Sequence, residues 1–322
     1  MTHASTAALE WAASVLGAKV TAVEGLRDSG GSPWLLRLEG HAHLRAVVLK
    51  LGEPGQGREP GPCATAAAAM ELVAECGGAA PRLLAVDADG SAAGEPALLT
   101  TVVPGSSRVP LVANPVRLRG LGAAAAAVHA RPTDPRPALP RRSRSLEDMD
   151  FDALRRAHGL TPLFEEAERV FAATPAPAGG TVLVHGDLWQ GNTMWDGDTL
   201  TGIIDWDAAG VGHFGVDLGP LRLDAAIFFG QPAADEVLAG WLEASRRHRQ
   251  LAYCDGDLTQ TVAYWDLVAA LCTPPDLVYW LPNFIEQGRT DLDAAVVNGR
   301  REVFLRPALD RLGPARAQGQ PA

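Results

Sequence analysis

The stretch "VLVHGDLWQGNTMW", residues 182–195, sets a cluster of polar residues directly after a short apolar run. Residues 182–184 predict a buried strand, and His185 and Asp187 follow it in a loop. Loops carried on rigid strands commonly hold catalytic groups. Asn192 stands five residues after the Asp, which raises the question of what brings an amide and a carboxylate together here.

The residues that follow predict a β-hairpin, because "TMW" and "TLTGII" flank the turn sequence "DGD" within residues 193–204. A turn centred near Asp198 and Thr199 would place Asn192 opposite Asp205 at the open end of the hairpin. A carboxylate and an amide oxygen suit Mg²⁺, which completes its shell with water and phosphate oxygens. We therefore predict Asn192 and Asp205 as metal ligands.

Asp187 remains available for a second task in this arrangement. It can accept the proton of a substrate hydroxyl while that oxygen attacks a γ-phosphorus. Asp205 alone would read as a turn residue, and its register with Asn192 is what favours the ligand role. For His185 we expect a role in bracing the loop.

The remaining sequence predicts an α+β protein with two lobes, a β-rich N-lobe over residues 1–103 and a mainly helical C-lobe over 104–322. In the N-lobe we expect helices at 6–16 and 62–76 and strands at 19–27, 34–39, 44–51, 82–86 and 96–103. In the C-lobe we expect an exposed Pro- and Arg-rich loop at 131–145 and helices at 116–130, 147–173 and, in several pieces, 217–311.

The composition of the chain argues against several classes of partner and cofactor. The 322 residues carry a formal net charge of −10 and are 47% hydrophobic, which argues against a surface that binds nucleic acid phosphates. The four cysteines show no CxxC spacing, so neither a zinc site nor a disulfide framework is indicated. Without a signal-like start or a bilayer-length apolar run, the sequence predicts a cytoplasmic protein with no membrane partner.

The string H-x-D-x-x-x-x-N has the spacing of a kinase catalytic loop, with Gly186 where protein kinases usually carry Arg. "IIDWD" follows where kinases have D-F-G, and "VDLG" comes next. Together these motifs resemble the aminoglycoside phosphotransferase and choline kinase group, the small-molecule branch of the protein-kinase-like fold. "AVVLKLG", "LLTTVVPG" and "LGAAAAAVHA" are similar to the family's Lys-bearing strand, inter-lobe hinge and first large C-lobe helix.

The resemblance implies the fold, the use of ATP or GTP with Mg²⁺, and a set of roles. Asp187 takes the place of the catalytic base, Asn192 and Asp205 those of the Mg²⁺ ligands, and Asp217 that of a structural residue, for which a helix N-cap is a sufficient reason. The residues assigned to nucleotide binding are Lys50 on the Lys-bearing strand, Thr101 and Val103 in the hinge, and Ser29, Gly30 and Gly31 in the phosphate-covering loop.

One departure concerns the Glu that pairs with the strand Lys in kinases. The matching helix begins "PCATAAAA" and offers no Glu there. Glu71 and Glu75 have the spacing of a solvent-facing pair, so Glu59, just before the helix, is our choice as the partner of Lys50.

The expected function is transfer of a nucleotide γ-phosphate to a hydroxyl group of a small molecule. An antibiotic is the acceptor favoured by the resemblance, which would make the activity one of resistance or self-protection. Two alternatives stay open at this stage. One is a metabolic kinase for choline, homoserine or a sugar, and the other is a catalytically silent nucleotide-binding scaffold.

Overall fold

The computed structural model describes residues 4–26, 32–52, 61–75, 77–130, 132–247 and 257–313. Its N-terminal part is a five-stranded antiparallel sheet in the order β1-β2-β3-β5-β4. The elements of this part are α1 (Thr6–Leu16), β1 (Lys19–Gly25), β2 (Trp34–Glu39), β3 (Ala46–Leu51), α2 (Pro62–Glu75), β4 (Leu83–Asp87) and β5 (Ala97–Thr101). The α+β class and the order of these elements confirm the sequence prediction.

Helix α1 shows how local sequence sets an element. Ser5 caps its first turn by accepting a hydrogen bond from Ala8 N, and Gly17 ends it in the left-handed conformation at φ 57°. Ala8 and Ala12, four residues apart, are fully buried against the sheet, in a core that also holds Leu36 and Leu49.

Helices and short strands make up the chain after β5. They are α3 (Pro115–Val128), β6 (Arg141–Arg142), α4 (Phe151–His158), α5 (Pro162–Ala173), β7 (Val182–Val184), β8 (Thr193–Asp196), β9 (Thr199–Ile203), β10 (Gly210–Gly212), α6 (Gly215–Phe229), α7 (Gln231–Arg247), α8 (Leu258–Leu271), α9 (Leu281–Glu286) and α10 (Ala294–Leu312). β7 lies in a small sheet of order β6-β10-β7, and β8 pairs with β9. The chain thus changes from mainly β-strand to mainly α-helix between Thr101 and Pro115.

Helix α2 packs between the sheet, where Leu98 of β5 joins its apolar cluster, and the C-terminal half of the chain. Its buried residues, among them Cys63, Ala66 and Met70, belong to one apolar cluster with Val184 and Trp206 from the C-terminal half. The two parts of the chain therefore share a hydrophobic core, which fixes the groups on β3 and β5 relative to the loop after β7.

Two sequence predictions need correction. The single helix expected over 147–173 is two helices, because Gly159, at φ 96°, ends α4 and Thr161 caps α5 by accepting from Phe164 N. Pro162 then occupies the first turn of α5, where its missing N–H costs nothing.

Residues 132–145 of the predicted exposed loop are also less exposed than its Pro and Arg content indicates. Arg141–Arg142 pair in parallel with β10, Leu139 is fully buried, and the Ser145 hydroxyl donates to Gly186 O at 2.8 Å. Proline cannot donate a hydrogen bond in a sheet, but Arg141–Arg142, the two residues that pair with β10, include no proline.

None of the helices in the described parts of the chain combines the length and apolar character needed to cross a membrane.

Candidate active site

A cavity of about 840 Å³ lies between the N-terminal sheet and the C-terminal helices. One half is walled by apolar side chains from the sheet, from α2 and from the β8–β9 hairpin, a slot suited to a flat ring. These side chains are Leu35, Val48, Met70, Pro81, Leu98, Met194 and Ile204. Lys50, Asp187, Asn192 and Asp205 all line the same cavity, so the structure brings these four predicted residues together.

The loop that carries Asp187 begins at the end of buried β7. Gly186 has φ +80°, and a Cβ there would lie 2.1 Å from Ala208 O. Both facts require glycine at this position, where protein kinases usually carry Arg. The sharp bend turns Asp187 into the cavity.

Asp217 stabilises the backbone of this loop. It is fully buried, and its two carboxylate oxygens accept from His185 N at 2.7 Å and Gly186 N at 2.8 Å. Its Oδ2 also lies 3.1 Å from His129 Nε2. Asp217 is therefore not the N-cap of α6, which begins at Gly215. It stands within the first turn and satisfies backbone donors of the catalytic loop.

The His185 ring braces the loop from inside. Nε2 lies 2.8 Å from Ile204 O, Nδ1 accepts from Asp187 N at 3.3 Å, and the ring lies 4.6 Å from that of Trp206. Burial lowers the pKa of His185, so the neutral ring is favoured. These contacts link the catalytic loop to the end of the hairpin.

The hairpin register differs by one residue from the sequence prediction. The turn is Gly197–Asp198, since Asp196 pairs with Thr199, and a bulge lies between Met194 and Trp195. Ile204, and not Asp205, stands opposite Asn192, with Ile204 N donating to Asn192 O at 2.9 Å. Asp205 follows directly, at φ 67°, a left-handed conformation that is uncommon for a residue with a Cβ.

Asn192 is fixed by Asp187. Its Nδ2 donates to Asp187 O at 2.8 Å and to Asp187 Oδ2 at 3.2 Å. Because the amide nitrogen is engaged in this way, Oδ1 is the atom left for a cation.

Lys50 forms ion pairs with two carboxylates of the "IDWD" motif. Its Nζ contacts Asp205 Oδ1 and lies 2.7 Å from Asp207 Oδ2. Burial lowers the pKa of Lys50, but the two carboxylates outweigh it and raise the pKa above its usual value. Asp207, the second carboxylate of the motif, thus supplies a partner for Lys50.

The electrostatic surroundings of Asp187 suit a proton acceptor. Burial and then the negative charge of Asp205 raise the pKa of Asp187 to about 7, although the hydrogen bond from Asn192 lowers it. A carboxylate with a pKa near neutrality is a stronger base than an exposed aspartate.

The other predicted nucleotide-binding residues divide into two groups. Thr101 and Val103 line the cavity at the junction of the two parts. Thr101 N donates to Arg82 O and the Thr101 hydroxyl accepts from Arg82 N, so Thr101 contributes wall surface. The rest, Ser29, Gly30, Gly31 and Glu59, lie outside the described residues.

The donor set fits Mg²⁺ only if phosphates complete the shell. In the described parts of the chain, no cluster of three or more His, Cys, Asp or Glu side chains could hold a metal alone. Asn192 and Asp205 offer hard oxygens, and the Lys50 ammonium already lies against Asp205, which shows that this position attracts a cation.

Sequence reasoning missed the residues of the other half of the cavity. Asp224 on α6, Trp189 in the loop after Asp187, and Trp280 and Phe284 around α9 line it. They are spread over nearly a hundred positions and form no motif, although the Tyr279-Trp280 pair is visible in the sequence.

The sheet and helical parts sharing one cavity define a kinase-like phosphotransferase fold, and comparisons with known proteins agree. The sequence profile of the Phosphotransferase enzyme family matches residues 28–253. The chain therefore belongs to this family and is an enzyme of the phosphotransferase class, which confirms the resemblance stated from its motifs.

Individual relatives are more distant. Viomycin phosphotransferase from Streptomyces vinaceus is 35% identical over 92 residues, which cover 26% of this chain and only 31% of that protein. A macrolide 2'-phosphotransferase from Brachybacterium faecium has 18% identity and a TM-score of 0.56, covering 96% of this chain and 98% of its own. Amicoumacin kinase, in complex with AMP-PNP, Ca²⁺ and Ami, has 14% identity and a TM-score of 0.56, with coverages of 90% and 88%. These two structures support the fold.

Proposed function

We propose that this enzyme transfers the γ-phosphate of ATP or GTP to a hydroxyl group of a small molecule, and that the acceptor is an antibiotic. The observation that carries the proposal is the meeting of Asp187, Asn192, Asp205 and Lys50 around one cavity with an apolar slot beside it. Four groups of this chemistry serve phosphoryl transfer together.

Asp187 is the proposed base. The acceptor oxygen forms a bond to the γ-phosphorus, the bond from that phosphorus to the bridging oxygen breaks, and the nucleoside diphosphate leaves. The proton of the hydroxyl passes to Asp187, whose pKa of about 7 suits this acceptance. Asn192, which donates to both Asp187 O and Oδ2, holds that carboxylate in place.

Asn192 Oδ1 and the Asp205 carboxylate would hold Mg²⁺, whose charge stabilises the negative phosphate oxygens. Lys50 adds a second positive charge at the phosphates. Its ammonium is positioned by Asp207 from the other side, the task that a helix Glu performs in kinases. The missing Glu of α2 is thus compatible with catalysis.

The names of the relatives support an antibiotic as the acceptor. Viomycin phosphotransferase shares sequence with this chain, and a macrolide 2'-phosphotransferase shares its fold. The metabolic-kinase alternative uses the same chemistry and differs only in the acceptor. The silent-scaffold alternative is disfavoured by the intact set of Asp187, Asn192 and Asp205.

The test is a transfer assay with ATP or GTP and Mg²⁺ against antibiotics of several classes, with choline, homoserine and sugars in parallel and the phosphorylated product identified by mass spectrometry. We expect transfer to an antibiotic and loss of about a thousandfold in kcat for Asp187→Asn, because that amide cannot accept the proton. Asp187→Asn should still bind Mg²⁺-AMP-PNP.

Asp196→Asn, an exposed change in the nearby hairpin, is the matched control and should transfer phosphate like the wild type. Transfer to choline, homoserine or a sugar in place of any antibiotic would replace the proposed acceptor class. Equal turnover by Asp187→Asn and the wild type would remove the base assignment.

A further inference from the structure

The peptide group that leads into Asp187 is hydrogen-bonded at both ends. Its carbonyl, Gly186 O, accepts from the Ser145 hydroxyl at 2.8 Å and from Leu146 N at 3.0 Å. Its N–H, which belongs to Asp187, donates to His185 Nδ1 at 3.3 Å. Because the Cα of Asp187 lies at the end of this peptide group, the orientation of the group decides where the carboxylate points.

The glycine at position 186 makes these contacts important. Gly186 has φ +80°, and a glycine restrains its own backbone less than any other residue. Asp217 Oδ1 accepts from Gly186 N at 2.8 Å and fixes that end of the residue. Ser145 and Leu146 fix the other end, at the carbonyl. Contacts from outside the loop therefore limit the rotation that glycine itself permits.

The Ser145 hydroxyl is a second donor to a carbonyl that already has one. A single donor satisfies a buried carbonyl, and Leu146 N supplies it. Ser145 is only 5% exposed, and its hydroxyl occupies the remaining acceptor position of Gly186 O. Two donors from neighbouring residues fix the direction of a carbonyl more closely than one does, so this bond serves orientation.

The backbone of Leu146 is strained. In the described parts of the chain, two residues other than glycine have positive φ, Leu146 at 47° and Asp205 at 67°, and both line the cavity. The left-handed conformation is unfavourable for a residue with a Cβ, and it persists where the surroundings hold it, often at functional sites. In this conformation Leu146 N donates to Gly186 O, while Leu146 O accepts from Met149 N at 2.9 Å.

The turn that carries both donors is itself well anchored. The Arg144 guanidinium donates to Glu147 O at 3.4 Å and to Met149 O at 3.0 Å, which ties the turn together. Just before it, Arg141–Arg142 pair with β10, and β10 also pairs with β7, the strand that ends at the catalytic loop. The turn and the loop therefore start from one small sheet, which sets the distance between them.

We propose that Ser145 and Leu146 are positioning residues, which hold the carbonyl of Gly186 and thereby direct the Asp187 carboxylate at the acceptor hydroxyl. This role rests on the proposed function, since Asp187 is the base only there. Loss of either contact should lower the rate of transfer, because the carboxylate then spends less time within reach of the proton. Nucleotide binding should stay intact, because neither contact involves the groups proposed to hold the nucleotide.

The first test compares Ser145→Val with Ser145→Thr, two side chains of the same shape that differ in the hydroxyl group. We expect kcat of Ser145→Val to be about tenfold below that of Ser145→Thr, at the same KM for ATP and the same Kd for Mg²⁺-AMP-PNP. The acceptor is the antibiotic of the panel that the wild type phosphorylates. Ser143→Val removes an exposed hydroxyl that bonds to Glu147, and this control should keep the wild-type kcat. Equal kcat in the two Ser145 variants would overturn the role of Ser145.

The second test compares Leu146→Ile with Leu146→Met. Isoleucine is branched at Cβ and strongly disfavours the left-handed conformation, whereas methionine is not branched. We expect kcat of Leu146→Ile to be about tenfold below that of Leu146→Met, again at the same KM for ATP. Equal kcat in these two variants would remove Leu146 from the proposal.

Hydrogen exchange followed by mass spectrometry tests the positioning without any acceptor. The amides of residues 185–187 should exchange at least about tenfold faster in Ser145→Val than in Ser145→Thr. The amides of β3 in the N-terminal sheet should exchange equally in both, whereas a general loss of stability would accelerate both regions.

The two proposals fail separately in these experiments. Phosphate transfer by the wild type, with equal kcat and equal exchange in the two Ser145 variants, would overturn the positioning role alone. The expected difference in exchange, in an enzyme that phosphorylates nothing in the panel, would overturn the proposed function and keep the contacts that fix the loop. If Ser145→Val fails to fold, the Leu146 pair decides the matter by the same two measurements.

Discussion

The two halves of the cavity are built in different ways. In the half that we propose for the nucleotide, called the nucleotide half below, short polar contacts join Lys50 to Asp205 and Asp207, and Asn192 to Asp187. In the half that we propose for the acceptor, called the acceptor half below, Trp189, Trp280 and Phe284 line the wall, with ring centres 6.3 to 6.5 Å apart. We infer that fixed polar geometry serves the transfer of phosphate and that the shape of the aromatic wall serves the choice of acceptor.

Among changes that affect one half of the cavity, Asp205→Asn should have the largest effect. Asn tolerates the left-handed backbone at this position and removes only the charge. We expect affinity for Mg²⁺-AMP-PNP to fall by more than about a hundredfold. Calorimetry with Mg²⁺-AMP-PNP checks this, with Asp196→Asn as the control. Unchanged nucleotide affinity would contradict the ligand role of Asp205.

Trp280→Ala should give a smaller effect, and this effect should fall on the acceptor half instead of the nucleotide half. Loss of the ring removes apolar surface from the acceptor half, which should raise the acceptor KM about tenfold and leave nucleotide affinity intact. The matched control is the neighbouring Tyr279→Ala, since Tyr279 is 64% exposed. If both changes act alike, Trp280 has no specific part in the cavity.

The smallest effect on either half should come from His213, just before α6. Burial, followed by the charge of His129, lowers the pKa of His213 to about 4. The unfolded chain, with a pKa of about 6.5, therefore binds the proton more readily, and the stability contributed by the neutral ring is complete above about pH 6.5 and lost as the pH falls towards 4.

The measurement is the free energy of unfolding at pH 7 and at pH 5. The free energy of unfolding of the wild type should fall by about 2 kcal/mol more than that of His213→Gln over this interval. Binding of Mg²⁺-AMP-PNP at pH 7 should be the same in both proteins. His43→Gln, at an exposed position, should retain the wild-type pH dependence. Identical pH dependence in wild type and His213→Gln would refute the assignment.

The arrangement of Asp187, Asn192 and Asp205 was predictable because these three residues are close in sequence and their spacing carries the geometry. A strand end, a five-residue step to Asn192 and a hairpin are local features that the sequence expresses directly. The error in register came from the turn, which lies at Gly197–Asp198 and not at Asp198–Thr199 and so shifts the pairing by two residues, of which the bulge between Met194 and Trp195 restores one. No alternation of apolar and polar residues marks such an insertion.

The rest depends on contacts between distant parts of the chain. Asp217 has the sequence setting of an N-cap, but it is buried against the backbone of His185 and Gly186, 32 and 31 positions away. Lys50 and Asp207 are further apart still, so the ion pair between them could not be found from the sequence of α2. Tertiary packing, which local sequence does not record, decides these cases.

The shared interior of α2 and the C-terminal helices also bears on how this chain can be divided. A fragment ending at the junction after Val103 would expose Ala66, Met70 and their neighbours to water, and the remaining piece would lose the surface that covers Trp206. The first piece would keep the separate core of α1 and the sheet, but both pieces would lose the cluster that they share, so tags or reporter domains are better inserted at the solvent-facing hairpin tip around Gly197 than at the junction after Val103.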